Sequence, residues 1–351
     1  MKSAEFFAPL RGGFAAILIC IAVVAAAYPQ ANVQRLVAIG DIHGDLDAFI
    51  GILQRAQLID PGKRWSGGHS TLVQTGDFLD RGPKARGVMD FLMPLQKDAQ
   101  RQGGRVIVLM GNHEAMNIFG DLRYVTDEDY ASFSDEPRDA RKRKTDSSGP
   151  AGVAERCEAF GPAGKYGKWL RSLPAIARVN DSIFLHGGIS PDLASYSVDQ
   201  LNDAIAAEIK AFDTYKQFMV EKKIAQACNT LDELTAAART ALDKAKGKDA
   251  DTLKAFLSLG GWLTINDTGP LWFRGYATWT DAEGAPQIQR LTEAFGVARF
   301  VVGHTPQADG QIVSRFNGKI YLIDTGMLSS YFRGGRASAL NIQDGKISFI
   351  Y

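Results

Sequence analysis

The amino-acid sequence predicts an α/β fold, a sheet-based core flanked by helices. Three observations carry that expectation. Short apolar runs rich in β-branched residues recur from Arg35 onward, most of them end in glycine-containing turns, and helical periodicities separate the first three. A chain of 351 residues can bury a sizeable core as one large domain or two small ones.

Taken in order, the first feature is a leader. Lys2 and Arg11 precede an apolar stretch from Phe14 to Ala27, which closes on Ala25-Ala26-Ala27 before Tyr28-Pro29. A positive start, an apolar middle and a small-residue exit read as a secretory signal peptide over residues 1–27. The alternative is an uncleaved membrane anchor, although the stretch is shorter than the about 20 residues of a comfortable span. The expected location is therefore periplasmic or secreted, with membrane attachment only if the segment stays on.

Residues 28–351 then read as one domain. Leu36 to Ile39, Thr71 to Gln74, Val106 to Met110, Ile183 to Leu185 and Phe300 to Val302 are too short for helices and read as buried strands. Leu46, Phe49, Ile50 and Leu53 share one helical face, and Asp45 is placed to cap it. Val88 to Gln102 reads as a second helix, with Pro94 a kink or break. Strand–helix–strand alternation predicts a sheet covered on both faces. Near the end, Ile320 to Asp324 reads as a strand. Ala337 to Gln343 and Lys346 to Tyr351 read as a hairpin turned by Asp344-Gly345.

Two insertions interrupt this plan. The segment at about 121–164 is polar and rich in Pro and Gly, as expected of a long surface insertion. The segment at about 198–259 has Leu201, Ile205 and Ile209 in register, and predicts two or three helices forming a cap beside the sheet.

A formal net charge of +1 lacks the basic excess of a nucleic-acid-binding surface. The dense run Arg141 to Lys144 lies beside Asp146, Ser147, Ser148 and Gly149 and reads as a solvated loop. With the leader removed, Cys157 and Cys228 remain. They form either one disulfide or two buried thiols.

The chemistry collects at the strand ends. These carry Gly40-Asp41-Ile42-His43-Gly44, Gly76-Asp77-Phe78-Leu79-Asp80-Arg81-Gly82, Gly111-Asn112-His113-Glu114, His186-Gly187-Gly188 and Gly303-His304-Thr305. Four of the five histidines lie in these motifs. Strand ends bring residues distant in sequence to one sheet edge. Mixed Asp, His and Asn donors suit Mn, Fe or Zn, and a shared carboxylate lets two such cations sit side by side for phosphoryl hydrolysis. His69 has no motif around it and reads as a loop residue, and Glu114 reads as a residue that structures its turn. The tryptophans read as packing residues, with Trp272 and Tyr276 also candidates for a substrate mouth.

These motifs, in this order, resemble those of the calcineurin-like metallophosphoesterases, and within them the phosphoprotein phosphatases. Gly269 to Tyr276 (Gly-Pro-Leu-Trp-Phe-Arg-Gly-Tyr) and Gly303-His304-Thr305-Pro306 look like the bacterial, Shewanella-like branch. Met110 stands where the eukaryotic Ser/Thr enzymes commonly have Arg. The resemblance implies a metallophosphoesterase-type β-sandwich core flanked by helices. It implies two divalent metal ions, one held by Asp41, His43 and Asp77. The other is held by Asp77, Asn112, His186 and His304. His113 would be the general acid, oriented by Asp80, with Arg81 and Arg274 clamping the phosphate.

The function so implied is a dinuclear-metal phosphomonoesterase, a protein phosphatase with a leaning toward phosphotyrosine. Its substrate would be a phosphoprotein or a small phosphate ester. The alternatives are a nucleotide or dinucleotide polyphosphate hydrolase, which shares these motifs, and a non-catalytic module that binds phospholigands.

Overall fold

The computed structural model describes residues 35–135 and 151–351. The expected leader, residues 1–27, and the Arg141–Lys144 run lie outside the described residues. Among the described residues ten strands form two five-stranded sheets. The strands are β1 (Arg35–Ile39), β2 (Thr71–Gln74), β3 (Arg105–Val108), β4 (Ile176–Val179), β5 (Ser182–Leu185), β6 (Arg299–Val302), β7 (Val313–Arg315), β8 (Ile320–Leu322), β9 (Ala339–Gln343) and β10 (Lys346–Ile350). The first sheet runs β10-β9-β1-β2-β3 and the second β4-β5-β6-β8-β7. In the first, β1, β2 and β3 are parallel, with Leu36 opposite Thr71 and Leu72 opposite Val106. In the second, β5, β6 and β8 are parallel.

Side-chain alternation along each strand builds the layers. Leu36 and Ala38 of β1, Val73 of β2 and Ile107 of β3 join Phe184, Val301 and Tyr321 of the other sheet in one buried cluster. Their neighbours Val37, Ile39, Leu72 and Val108 point the other way, into the larger core under the helices. Each sheet is thus covered by helices on one face and by its partner sheet on the other, which makes a sandwich.

The helix Leu46–Arg55 begins where Asp45 accepts the amide of Ala48 at 3.0 Å, and it buries Phe49, Ile50, Ile52 and Leu53. The next helix spans Ala85–Arg101 and passes through Pro94 unbroken. Pro94 and Asp90 both face solvent, so water can satisfy the Asp90 carbonyl that the proline frees. Helices Val198–Glu221, Leu231–Leu242 and Gly247–Leu257 fill the second inserted segment. Capping boxes open the first two at Ser197 and Thr230. Among the described residues no helix is long and apolar enough to cross a membrane.

The first insertion differs from a plain surface loop. Its described parts bury Phe133, Phe160 and Arg156, with the Phe133 and Phe160 rings 5.7 Å apart. Cys157 and Cys228 are joined by a disulfide, which ties helix Val153–Phe160 to the loop before helix Leu231–Leu242.

Candidate metal centre

Parallel strands end on one edge, so the turns after β1, β2, β3, β5, β6 and β8 converge. Two glycines show how closely. A Cβ on Gly303 would lie 2.3 Å from Asp41 Oδ1, and one on Gly111 would lie 2.3 Å from Asp77 Oδ1. Each carboxylate rests on the backbone of another strand's turn, a place only glycine leaves open. The same oxygens are pinned there. Asp41 Oδ1 accepts the His304 amide at 3.0 Å, and Asp77 Oδ1 accepts the His113 amide at 2.9 Å. Both carboxylates thereby keep Oδ2 for the centre.

Asp77 Oδ2 occupies the middle. It lies 3.2 Å from His186 Nε2, 3.7 Å from His43 Nε2 and 3.8 Å from His113 Nε2. Asp41 Oδ2 is 3.7 Å from His43 Nε2. The backbone assigns the imidazole tautomers. His43 Nδ1 donates to the Leu79 carbonyl, His186 Nδ1 to the Thr75 carbonyl and His304 Nε2 to the Trp272 carbonyl. The other nitrogen of each ring is then a lone pair facing inward.

Four acceptors meet on one side. His186 Nε2 lies 3.0 Å from His304 Nδ1, 2.9 Å from Asn112 Oδ1 and 3.2 Å from Asp77 Oδ2. No donor stands among them. A divalent cation satisfies all four at once, so this donor set fits a metal, and it is the set Asp77, Asn112, His186 and His304. On the other side His43 and Asp77 group with His113 as potential ligand atoms. His113 differs from the other histidines in its partner. Its Nδ1 meets Asp80 Oδ2 at 2.7 Å, a carboxylate rather than a carbonyl. Burial works against charge on His113, but Asp77 and Asp80 raise its pKa above the ordinary histidine value. That suits a proton carrier better than a ligand. Asp41 Oδ2 lies on this side too, beside His43.

The charges fit a cation too. Burial and the neighbouring Asp324 and Asp77 push the Asp41 carboxyl well above the usual range. Burial opposes charge on Asp77 as well, yet His186, His113 and His43 hold it well below that range. Burial also pushes Asp324 up to about 6, although the Gly326 amide pulls it down. Asp324 follows β8 as Asp41 follows β1, but it has no glycine before it, and the motif pattern passed over it.

Arg81 Nη1 donates to His43 Nε2 at 2.5 Å, and Arg81 Nε is buried without a hydrogen-bond partner. One lone pair cannot serve both a guanidinium and a metal ion, so an ion held by His43 would require Arg81 to release that nitrogen. The guanidinium is ringed by Tyr124, Tyr331 and Phe332, 5.5, 5.1 and 5.4 Å from their centroids. Arg274 sits at the rim, exposed, and its Nη1 donates to the His304 carbonyl and Thr305 Oγ1 rather than to the Asp77 cluster. Tyr276 does not line a mouth. It is fully buried, with its hydroxyl on the backbone of Ile189. Trp272 is half-buried beside His304, with ring centroids 6.0 Å apart. His69 is exposed and pairs only with the Gly103 carbonyl. Glu114 accepts the amides of Asp77, Phe78, Leu79 and Gly111, and so structures the turn.

A two-sheet sandwich with paired Asp–His–Asn donors along one edge defines a metal-dependent phosphoesterase. A family model described as calcineurin-like phosphoesterase matches residues 34–308. The chain belongs to that family, and it is a metal-dependent phosphatase. It is 36% identical to Shewanella-like protein phosphatase 2 of Arabidopsis thaliana, over 51% of this chain and 52% of that protein. It is 28% identical to Shewanella-like protein phosphatase 1 of Plasmodium berghei, over 90% of this chain and 74% of that protein. Among solved structures, the cold-active protein-tyrosine phosphatase of a psychrophilic Shewanella matches with a TM-score of 0.61 at 26% identity. That match covers 90% of this chain and 77% of the other.

Proposed function

We propose that this chain hydrolyses phosphate monoesters on proteins, with a preference for phosphotyrosine, using two divalent cations of the Mn, Fe or Zn kind. The observation that carries the aryl preference is the aromatic ring around Arg81. Tyr124 and Tyr331 are exposed there, next to a cation with a free donor. A phenyl ring can pack on them while Arg81 and Arg274 bind the phosphate oxygens. The tyrosine phosphatase among the structural neighbours supports the same reading.

Asp41, His43 and Asp77 would hold one ion, and Asp77, Asn112, His186 and His304 the other. When bound, the ions supply Lewis-acid stabilisation of the phosphoryl group and a hydrolytic nucleophile at neutral pH. His113, held by Asp80, gives its Nε2 proton to the leaving phenolate oxygen as the P–O bond breaks, and water supplies the hydroxyl that phosphorus gains.

The expected result is faster turnover of a phosphotyrosine peptide than of its phosphoserine counterpart. Tyr124→Ala with Tyr331→Ala should shrink that preference by roughly 3- to 10-fold, the worth of aromatic contacts of about 0.5–1.5 kcal/mol. Equal kcat/KM for both peptides in the unaltered enzyme would reject the aryl preference. The protein is further proposed to be exported, to the periplasm or outside the cell, with residues 1–27 cleaved. The Cys157–Cys228 disulfide suits an oxidising compartment. N-terminal sequencing from the native host should begin near Tyr28. Retention of Met1 would support the anchor.

A further inference from the structure

Beyond Asp80, a buried chain of polar groups continues away from the metal centre. Asp80 has two oxygens and two donors: Oδ2 meets His113 Nδ1 at 2.7 Å, and Oδ1 accepts Asn117 Nδ2 at 2.9 Å. Asn117 Oδ1 in turn accepts Arg156 Nη2 at 2.7 Å, and Arg156 Nε donates to Asp129 Oδ2 at 2.9 Å. All five residues are buried. Arg156 comes from helix Val153–Phe160 of the first insertion, and its guanidinium stacks 4.1 Å from the Phe160 ring centroid.

The chemistry of this chain has one direction. An amide can be turned either way, but arginine has only donors. Facing Arg156, Asn117 must present its oxygen. Its nitrogen is then aimed at Asp80. In the reversed amide, oxygen would face the Asp80 carboxylate and nitrogen would face a guanidinium, which is two repulsions in place of two hydrogen bonds. Asp129 and Phe160 hold the guanidinium still.

We infer that Arg156 is a positioning residue for phosphate-ester cleavage: through Asn117 it fixes the Asp80 carboxylate, and so the ring of His113, for protonation of the leaving group. This rests on the acid role of His113 proposed above.

The test uses the metal-loaded full chain and a series of substituted phenyl phosphates, from p-nitrophenyl to phenyl. Removing Arg156 alone would strand Asp129, so the variant is Arg156→Met with Asp129→Leu, which removes the buried pair together. Asn117→Ala is the second variant and keeps that pair. In both, kcat/KM for phenyl phosphate should fall at least about 10-fold, part of the roughly 10²–10⁴-fold worth of acid catalysis, while p-nitrophenyl phosphate changes less than 3-fold and metal content is unchanged. Adding either change to His113→Asn should cost little more. A loss equal across the series reflects a smaller active fraction and overturns the inference. If His113→Asn itself loses equally on all substrates, the acid role fails. If it discriminates but the Arg156 and Asn117 variants do not, only the positioning role fails.

Discussion

Five of the residues in or beside the metal centre hold backbones that L-amino acids rarely adopt. His43, Asp77, Asp80, Arg81 and His304 have φ of 47°, 55°, 66°, 66° and 68°. Non-glycine residues at positive φ cost of order 1–3 kcal/mol when held there, and they persist where the surroundings over-determine them. Here each sits in a turn pinned by hydrogen bonds, such as those from the Ile42 and His43 amides to the Asp77 carbonyl at 2.9 and 3.0 Å. Strain at Asp77 turns its carboxylate inward to the point nearest three histidines. Asp77→Asn keeps the shape and removes the charge. It should cut turnover by more than about 100-fold, since loss of supporting partners alone costs 10–100-fold at metal sites. Metal content should fall with it. Two ions per chain with normal turnover in that variant would disprove the bridging role. None of this strain shows in the sequence, where Asp before a glycine-rich turn looks ordinary.

At the level of elements, what could be read in advance follows burial. Strands β1, β2, β6 and β8 are apolar on both faces, so their β-branched runs stand out without alternation. Strands β4 and β7 have no such signature, because each exposes residues, Arg178 in one and Ser314 in the other, and no apolar run forms. The helix Asp281–Phe295 was hidden by Gly284 and Pro286 inside its span. Likewise the Asp, His and Asn donors that converge on the centre are legible from their motifs, while Asp324, Asn117 and Arg156 are not, because the contacts that give them meaning join distant segments. Glu114 shows the same at a junction. It fastens the turn after β2 to helix Asn112–Phe119 through four backbone amides at 2.7 to 3.1 Å. Burial and Asp77 push its carboxyl up to about 8, and the Asp77 and Gly111 amides pull the other way. A glutamine there would turn an NH2 group toward amide donors. Glu114→Gln should therefore lower stability by about 1–3 kcal/mol, the cost of unsatisfied buried donors, read from the denaturant midpoint of the metal-free protein. An unchanged midpoint would show that one oxygen suffices for the junction.

For the whole molecule, the site exists because two sheets bring the same ends of their parallel strands together. A Cβ on Gly40, after β1, would lie 2.5 Å from the Ile323 carbonyl after β8, so the sheets touch at backbone distance beside the metal donors. The inserted segments have no such sheet to hold them. Helix Val153–Phe160, which carries Arg156, is fastened instead by side chains and by the bridge from Cys157 to Cys228. The bridged residues are 71 positions apart. Closing a loop of that length removes unfolded-state entropy worth about 4 kcal/mol in the chain-entropy model. A loss of that order exceeds the effect of most single substitutions. Cys157→Ser with Cys228→Ser should therefore lower the thermal unfolding midpoint, and reduction of the unaltered protein should lower it by a similar amount. The double variant should be insensitive to reductant. If the midpoint moves in neither case, the bridge contributes nothing to the folded state, and the helix is held by the Arg156–Asp129 pair and the packing of Phe133, Phe160 and Tyr166 alone.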